Sequence, residues 1–404
     1  MASTETSEQV VKPDFGSSKR HLIFTQEHED LRESMEAWVK KELAPNAEEW
    51  EETLWPDSVL KRMADLGFVG LCFPEEYGGQ GGDYYYSLVR AEALSHSGSG
   101  GLNMGLAVHT DMVLPPIEML GNEDQKQRYL VPGIKGEKIA SLGITEPGAG
   151  SDVAGIRTTA RKDGDEYVIN GSKIFITNGA RADFILLVTK TDPDARHDGI
   201  TLFIVDLKDE DGNPTEGFSV SRKLEKLGMH SSDTAELSFE DVRVPAENLI
   251  GQEGKGFYHI SWELQGERLV GAIGCVAGAE RIFEQTLEYA KEREAFGRPI
   301  AKFQNTSFKL AECATEVEVG RHFLDAVTRR HAAGEYLVKE CSMAKLWQSE
   351  MLGRVVDECL QFFGGYGYML EYPISRAYMD ARVQRIYAGT NEIMKVIIAK
   401  QLDL

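Results

Sequence analysis

Apolar residues recur at three- and four-residue steps in the first and last parts of the chain, and in short solid blocks between them. The first pattern marks amphipathic helices and the second buried strands. Over residues 24–138 the steps are helical. Thr25 is placed to cap a helix that carries Leu31, Met35, Trp38 and Val39 on one face. A glycine-rich loop at 75–83 follows, then a helix with Leu88, Ala91 and Leu94. Next comes Ser95-His96-Ser97-Gly98-Ser99-Gly100-Gly101, a run of small residues that suits a linker, close packing or a cavity wall.

Near Ile139 the period shortens. Residues 167–171 and 173–177 flank turn residues and predict a hairpin. Residues 184–188 and 200–205 predict buried strands, and 218–220 and 235–239 add two more. With no helices interleaved, the block argues against a parallel doubly wound sheet. After Gly256 the helical period returns. A helix is expected over 257–293, ended by Gly297 and Pro299, with Leu264, Ile273, Val276, Ala277, Ile282 and Leu287 at helical steps. Further helices are expected near 304–333, 336–363, 374–386 and 391–402. Leu337, Cys341, Ala344, Trp347, Met351 and Val355 form a stripe of bundle type. The expected fold is α+β, mainly α, without internal repeats. It comprises a flexible arm (1–20), an N-terminal helical domain (21–138), a middle antiparallel β domain (139–250) and a C-terminal helical bundle (251–404).

Set among the apolar residues of the long helix is Glu267, followed by Val270, Gly271 and Gly274 at i+3, i+4 and i+7. A carboxylate above a strip of glycines leaves a hole that a ligand could enter. Gly271, Gly274 and Gly278 each cost roughly 1 kcal/mol of helix propensity against alanine, so the space has a use. On the helix alone, the commoner reading of such a residue is a surface group or a structural partner of Arg268.

At 404 residues the chain has room for one large domain or two to three ordinary ones. Its 42% apolar and 27% charged residues are those of a soluble globular protein. A formal net charge of −21 argues against a nucleic-acid or anionic-membrane surface, though not against a local basic pocket for a phosphorylated ligand. The five cysteines are dispersed and form no C-x-x-C pair, which fits small core residues in a reducing compartment. The apolar run near 269–279 is too short to span a membrane. Residues 1–19 show neither an apolar h-region nor an Arg-rich amphipathic pattern, so no export or transit peptide is expected and the expected compartment is the cytoplasm.

Most nucleotide and catalytic motifs fail. Residues 251–256 have the wrong spacing for a P-loop, and Gly148-x-Gly150 lacks the third glycine and the βαβ context of a dinucleotide fingerprint. No paired-histidine metal spacing and no G-x-S-x-G elbow occur. What remains is residues 143–152, a turn of exposed backbone donors with hydroxyls at both ends, and residues 174–179. In the latter, Phe175 and Thr177 share one face of a strand by the two-residue period. A planar ring covered by Phe175, with a heteroatom bonded by Thr177, suits that pair.

Five separated stretches carry a resemblance. They are Thr145-Glu146-Pro147-Gly148-Ala149-Gly150-Ser151-Asp152, residues 171–179, Arg293-Glu294-Ala295-Phe296-Gly297, Gln361-Phe362-Phe363-Gly364-Gly365-Tyr366-Gly367 and Ile386-Tyr387-Ala388-Gly389-Thr390-Asn391-Glu392. In their order they resemble the acyl-CoA dehydrogenase family over residues 22–404. The resemblance implies a helical domain, a β domain and a four-helix bundle, assembled as a homotetramer with FAD between subunits. It implies that Ile144, Thr145, Gly150 and Ser151 line the flavin, with Ser151 also near the CoA chain. Phe175 would cover the ring and Thr177 would bond its N5 edge. Arg293, Phe296, Gln304, Gln361, Gly365, Thr390 and Glu392 would hold the adenine and pyrophosphate half, the first five from a neighbouring subunit. Gly98, Gly100 and Gly101 would wall the acyl pocket, and Arg268, Tyr387, Ala388 and Gly389 would border the substrate.

One position departs from the family's commonest form, in which the catalytic glutamate directly follows the tyrosine of the Ile-Tyr-x-Gly-Thr motif. Here that residue is Ala388. Branches resembling long-chain and isovaleryl-CoA dehydrogenases carry the glutamate earlier, just before an arginine, and Glu267 occupies that position. The string Glu263-Leu264-x-x-Glu267-Arg268 with residues 389–395 is most similar to the long-chain branch. The implied reaction takes the α-proton onto Glu267 and the β-hydrogen as hydride onto flavin N5, giving a trans-2-enoyl-CoA. A flavin ribityl hydroxyl and the Ala388 N–H would serve the thioester oxygen, and electron-transferring flavoprotein would reoxidise the enzyme. The small residues at 98–101 suggest medium, long or branched acyl chains. An oxidase or monooxygenase on the same fold, or a non-catalytic binding relic, is the alternative.

Overall fold

The computed structural model describes residues 23–404, so the arm expected over 1–20 lies outside the described residues. Helix α1 (Gln26–Trp38) starts at Thr25, whose backbone N–H donates to His28 Nδ1 at 3.0 Å. Helices α2 (Ser58–Asp65), α3 (Tyr84–Ser95), α4 (Gly100–Ala107) and α5 (Leu114–Leu120) follow, joined by shorter helical turns.

Eight strands form one sheet: β1 (Ala140–Gly143), β2 (Thr159–Asp163), β3 (Glu166–Thr177), β4 (Phe184–Lys190), β5 (Ile200–Asp206), β6 (Phe218–Lys223), β7 (Thr234–Pro245) and β8 (Leu249–Ile250). The order is β6-β7-β3-β2-β4-β5-β8, with β1 beside β4. Most pairings are antiparallel, but β4 pairs parallel with both β1 and β2, so the sheet is mixed. The expected hairpin over 167–177 does not form. Those residues are one continuous strand, β3, paired along its length with β7. Gly171 has φ +151, and a Cβ there would fall 2.5 Å from Thr158 Oγ1. It is a glycine because β3 passes so close to Thr158, and the chain goes straight on. The hairpin that does form joins β2 to β3, with Gly164 at φ +65 between the paired Asp163 and Glu166.

The C-terminal part packs α6 (Gly256–Glu292), α7 (Gln304–Ala332), α8 (Val338–Phe363), α9 (Pro373–Arg382) and α10 (Asn391–Lys400). The stripe predicted on α8 is buried at Cys341, Ala344, Met351 and Val355. Trp347 is not part of it. It is 39% exposed, with the Arg354 guanidinium 5.4 Å over its ring. The buried face is rotated toward Lys345 and Gln348. One core fills the N-terminal helices and sheet, and a second fills the bundle and reaches Leu88 of α3. A buried ion network ties the two ends. Glu92 on α3 accepts from Arg32 on α1 at 2.6 Å and pairs with Arg321 on α7, whose Nε donates to Glu280 on α6 at 2.8 Å. Among the described residues no helix is long and apolar enough to cross a membrane.

Candidate active site

The strip on α6 borders open space. Cβ atoms added at Gly271 or Gly274 would meet nothing within 4 Å among the described residues, and one at Gly278 would meet Leu352 at 3.8 Å. At its head, Glu267 is half-buried, while its Oε2 is shut from solvent and has no hydrogen-bond partner among the described residues. Burial pushes the Glu267 carboxyl up to about 7, against the lowering pull of Arg268 and then of Lys345. Glu267 is therefore not a fully solvated surface group. Arg268 is nearby but makes no ion pair with it, and its Nε is itself buried without a partner among the described residues. Burial holds Arg268 below its usual range.

Opposite the helix stands the loop 387–391. Ala388 and Gly389 both take left-handed conformations, φ +54 and +84. For alanine that is a strained state, which neighbouring structure must enforce. Lys345, 2% exposed, enforces it by donating to Gly389 O at 2.8 Å and Asn391 Oδ1 at 2.9 Å. Asn391 is further held by Ser349 Oγ and by Glu350 Oε1, the latter at 2.8 Å. Burial lowers Lys345 to about 8, and the charged or titratable groups around it are Cys275, Arg268, Glu267 and Glu392. Burial, then Cys275 and Glu267, hold the Tyr387 hydroxyl well above its usual range. Thus Glu267, Arg268, Lys345, Tyr387, Ala388 and Gly389 share one neighbourhood. Thr390 caps α10 by accepting from the Ile393 N–H at 3.3 Å, and Glu392 lies in the first turn.

The turn after β1 is stapled from beneath. Glu146 accepts from the N–H groups of Arg157 (2.6 Å) and Thr158 (2.9 Å) and from Lys173 Nζ (2.9 Å). Lys173 is fully buried and also donates to Ile144 O at 3.0 Å. Burial lowers Lys173 to about 8. Burial raises Glu146, but Lys173 and Thr158 outweigh it and leave the carboxyl below its usual range. The Ile174 N–H donates to Thr145 O at 2.9 Å, which sets the turn carrying Ile144, Thr145, Gly150 and Ser151 against β3. There Phe175 is 66% exposed at φ +62, and Phe175 and Thr177 flank the buried Ile176. A bulky residue held left-handed and in the open is strained, a feature that clusters at binding positions.

Arg293, Gln361 and Gly365 line one cleft of about 410 Å³ with Tyr289, Ile300 and Phe363. Tyr289 and Phe363 stack there with ring centres 4.3 Å apart. Gly364 and Gly365 leave its floor open, since a Cβ on either would meet nothing within 4 Å. Arg293 pairs with no carboxylate among the described residues, so an unneutralised cation over an open floor fits the pyrophosphate or adenine half of a dinucleotide. Phe296, 97% exposed at φ +53, tips the turn between Glu294–Ala295 and Arg298–Pro299, and Gln304 opens α7 in solvent.

The glycine run behaves differently. A Cβ on Gly100 would fall 2.6 Å from the Asp380 carboxylate, and one on Gly101 2.3 Å from Ser231 Oγ. Those two glycines serve close packing, not an open wall. Gly98, at φ +73, sits 3.7 Å from Arg281 Nη1 by the same measure. Sequence reasoning missed Lys345, Glu263 and the Glu146–Lys173 pair. Each is a charge inside an apolar pattern, and that interruption is the signal that could have found it.

The chain matches the N-terminal, middle and C-terminal domains of acyl-CoA dehydrogenases over residues 25–137, 141–242 and 254–402. It is 42% identical to a mitochondrial long-chain specific acyl-CoA dehydrogenase of Sus scrofa, over 94% of this chain and 87% of that protein. An acyl-CoA dehydrogenase structure from Geobacillus kaustophilus superposes with a TM-score of 0.91 at 48% identity, covering 95% of this chain and all of that one. The butyryl-CoA dehydrogenase of Megasphaera elsdenii superposes with 0.90 at 36% identity, over 95% and 100%. With three domains, the mixed sheet and the bundle all accounted for, the chain belongs to the acyl-CoA dehydrogenase family, FAD flavoproteins that oxidise a CH–CH bond of acyl-CoA.

Proposed function

We propose that the protein converts saturated acyl-CoA of medium, long or branched chain to trans-2-enoyl-CoA, with Glu267 as the α-proton base. The observation that carries this is Glu267 Oε2, shut from solvent and without a hydrogen-bond partner among the described residues, beside the open space over Gly271 and Gly274. Desolvation makes it basic enough to take a weakly acidic proton while it still ionises near neutral pH. FAD, when bound, supplies the hydride acceptor for the β-hydrogen. The residues that would hold its ring are Ile144, Thr145, Gly150, Ser151, Phe175 and Thr177. Arg293, Phe296, Gln304, Gln361, Gly365, Thr390 and Glu392 would hold its far half. The Ala388 N–H serves the thioester oxygen as negative charge develops there, and Lys345 fixes the loop that presents it. Ser151, Arg268, Tyr387 and Gly389 border the substrate. Acyl-chain room comes from Gly271 and Gly274.

Assembly as a homotetramer fits the distances. Arg293 lies about 39 Å beyond Glu267 at 1.5 Å per helical residue, too far for one dinucleotide held by a single chain. Electron-transferring flavoprotein is the acceptor in this reading, and five unpaired cysteines fit a cytoplasmic home. The test is anaerobic flavin reduction in Glu267→Gln. FAD and ligand should still bind, while reduction falls by roughly 10²–10⁴-fold or more. Reduction at the native rate would defeat the assignment.

A further inference from the structure

Three titratable side chains stand in file on α6 at four-residue steps: His259, Glu263 and Glu267. Each step rises about 6 Å and the three share one face. Every member carries a buried polar atom without a hydrogen-bond partner among the described residues: His259 Nδ1, both oxygens of Glu263, and Glu267 Oε2. Glu263 is 5% exposed, and polar groups so deep are normally paired unless they serve something. His259, at the outer end, is half-buried. The loop at Gly251 folds over it at φ +75, so close that a Cβ there would fall 2.4 Å from the ring. Around the inner pair stand Arg268 on the same helix, Lys345 and Cys341 on α8, and Tyr387 on the facing loop. Lys345 is already engaged with Gly389 and Asn391, which leaves the file to the carboxyls and the imidazole.

We infer that Glu263 and His259 form the outlet by which the substrate's α-proton passes from Glu267 to solvent. The inference rests on Glu267 being the base. After each turnover Glu267 holds a proton on a carboxyl whose inner oxygen is shut from solvent, and it must lose that proton before the next. Glu267 gives that proton to Glu263, which passes its own to His259 Nδ1, and the ring releases one from Nε2 to water. A water molecule can span each step. Glu267 ends ionised, Glu263 ends as the neutral acid it was, and no electrons move. Burial, and then the Glu267 charge, keep Glu263 protonated where Glu267 titrates, and burial keeps His259 neutral and able to accept. Both act through Glu267 and are positioning residues.

The probe is an acyl-CoA with deuterium on the α-carbon and sulfur at the β-position, which has no hydride to give. Wash-out of its deuterium by the holoenzyme reads only abstraction by Glu267 and exchange of that proton with solvent. Glu263→Gln and His259→Phe should slow wash-out by about 10- to 100-fold, the lower range for a proton-transferring group. First-turnover flavin bleaching by an ordinary substrate should fall far less, and Glu263→Asp should recover part of the exchange. If Glu263→Gln does not fold, His259→Phe carries the same prediction. Native wash-out in either folded variant overturns the outlet. Equal loss of bleaching and wash-out also overturns it, because that reports damage to the site. Failure of the base assignment is separate and would appear as wash-out surviving in Glu267→Gln.

Discussion

Lys345→Met removes a buried cation from a site whose proposed chemistry depends on one carboxylate being ionised. Glu267 titrates near 7 because burial raises it while Arg268 and Lys345 pull it down. Loss of the Lys345 charge leaves Arg268 alone and weakens the acid. A tenfold change in its ionisation constant corresponds to about 1.4 kcal/mol, a size usual for one charge at an effective dielectric near 20. With half of Glu267 ionised at pH 7 before and about one-eleventh after, flavin reduction should fall roughly fivefold at pH 7 and recover by about pH 9. A second effect is independent of pH. Gly389 O loses its donor, whereas Asn391 Oδ1 keeps Ser349 Oγ at 3.1 Å. One orphaned buried acceptor costs about 1–3 kcal/mol and should loosen the 388–391 loop at every pH. Anaerobic stopped-flow reduction across pH, beside thermal unfolding of the same samples, separates the two. A half-point that does not move upward refutes the reasoning, whatever happens to stability.

Lys173→Met should destabilise the turn at 144–151 by about 3–5 kcal/mol, because it strands the buried Glu146 carboxylate. Combining it with Glu146→Gln should return part of that in thermal unfolding and in FAD retention. Gly274→Leu, projecting into open space, should leave stability nearly unchanged, yet it should lower kcat/KM for long acyl chains far more than for short ones in a chain-length series. Glu263→Gln should gain stability over the native chain as pH rises. The folded carboxyl of Glu263 is held above its unfolded value of 4.5, so the unfolded chain ionises first and native stability drains away upward from there. Urea titrations at acid and neutral pH check this, and a pH-independent difference would count against it. Arg293→Ala and Gln361→Ala should loosen FAD and shift sedimentation toward smaller species together, and FAD loss with unchanged sedimentation would separate the two roles.

What the sequence made legible was long and periodic. The helix expected over 257–293 is Gly256–Glu292, because its period runs uninterrupted and Gly297 and Pro299 forbid continuation. Short signals misled where a neighbour decided the matter. Asn170-Gly171 has the composition of a hairpin turn, but the glycine answers to Thr158 and the strand goes through. Trp347 fits the apolar period on α8, but the bundle turns Lys345 inward instead, because the loop at Gly389 needs a donor.

The two sets of glycines make the same point at the site itself. Gly100 and Gly101 look like the wall of a wide cavity, and Gly271 and Gly274 look like a helix weakened for a ligand. Nothing in either string says which space is filled. Asp380 and Ser231 fill the first, while nothing comes within 4 Å of the second. Smallness in sequence is permission for close approach, and only the partner that arrives, or fails to arrive, turns it into packing or into a pocket. A carboxylate is subject to the same rule. Glu267 and Glu280 are both acidic residues on the inner side of α6, yet Glu280 meets Arg321 and becomes a structural ion pair. Glu267 meets no donor for its inner oxygen among the described residues, which is why it, and not Glu280, is the proposed base.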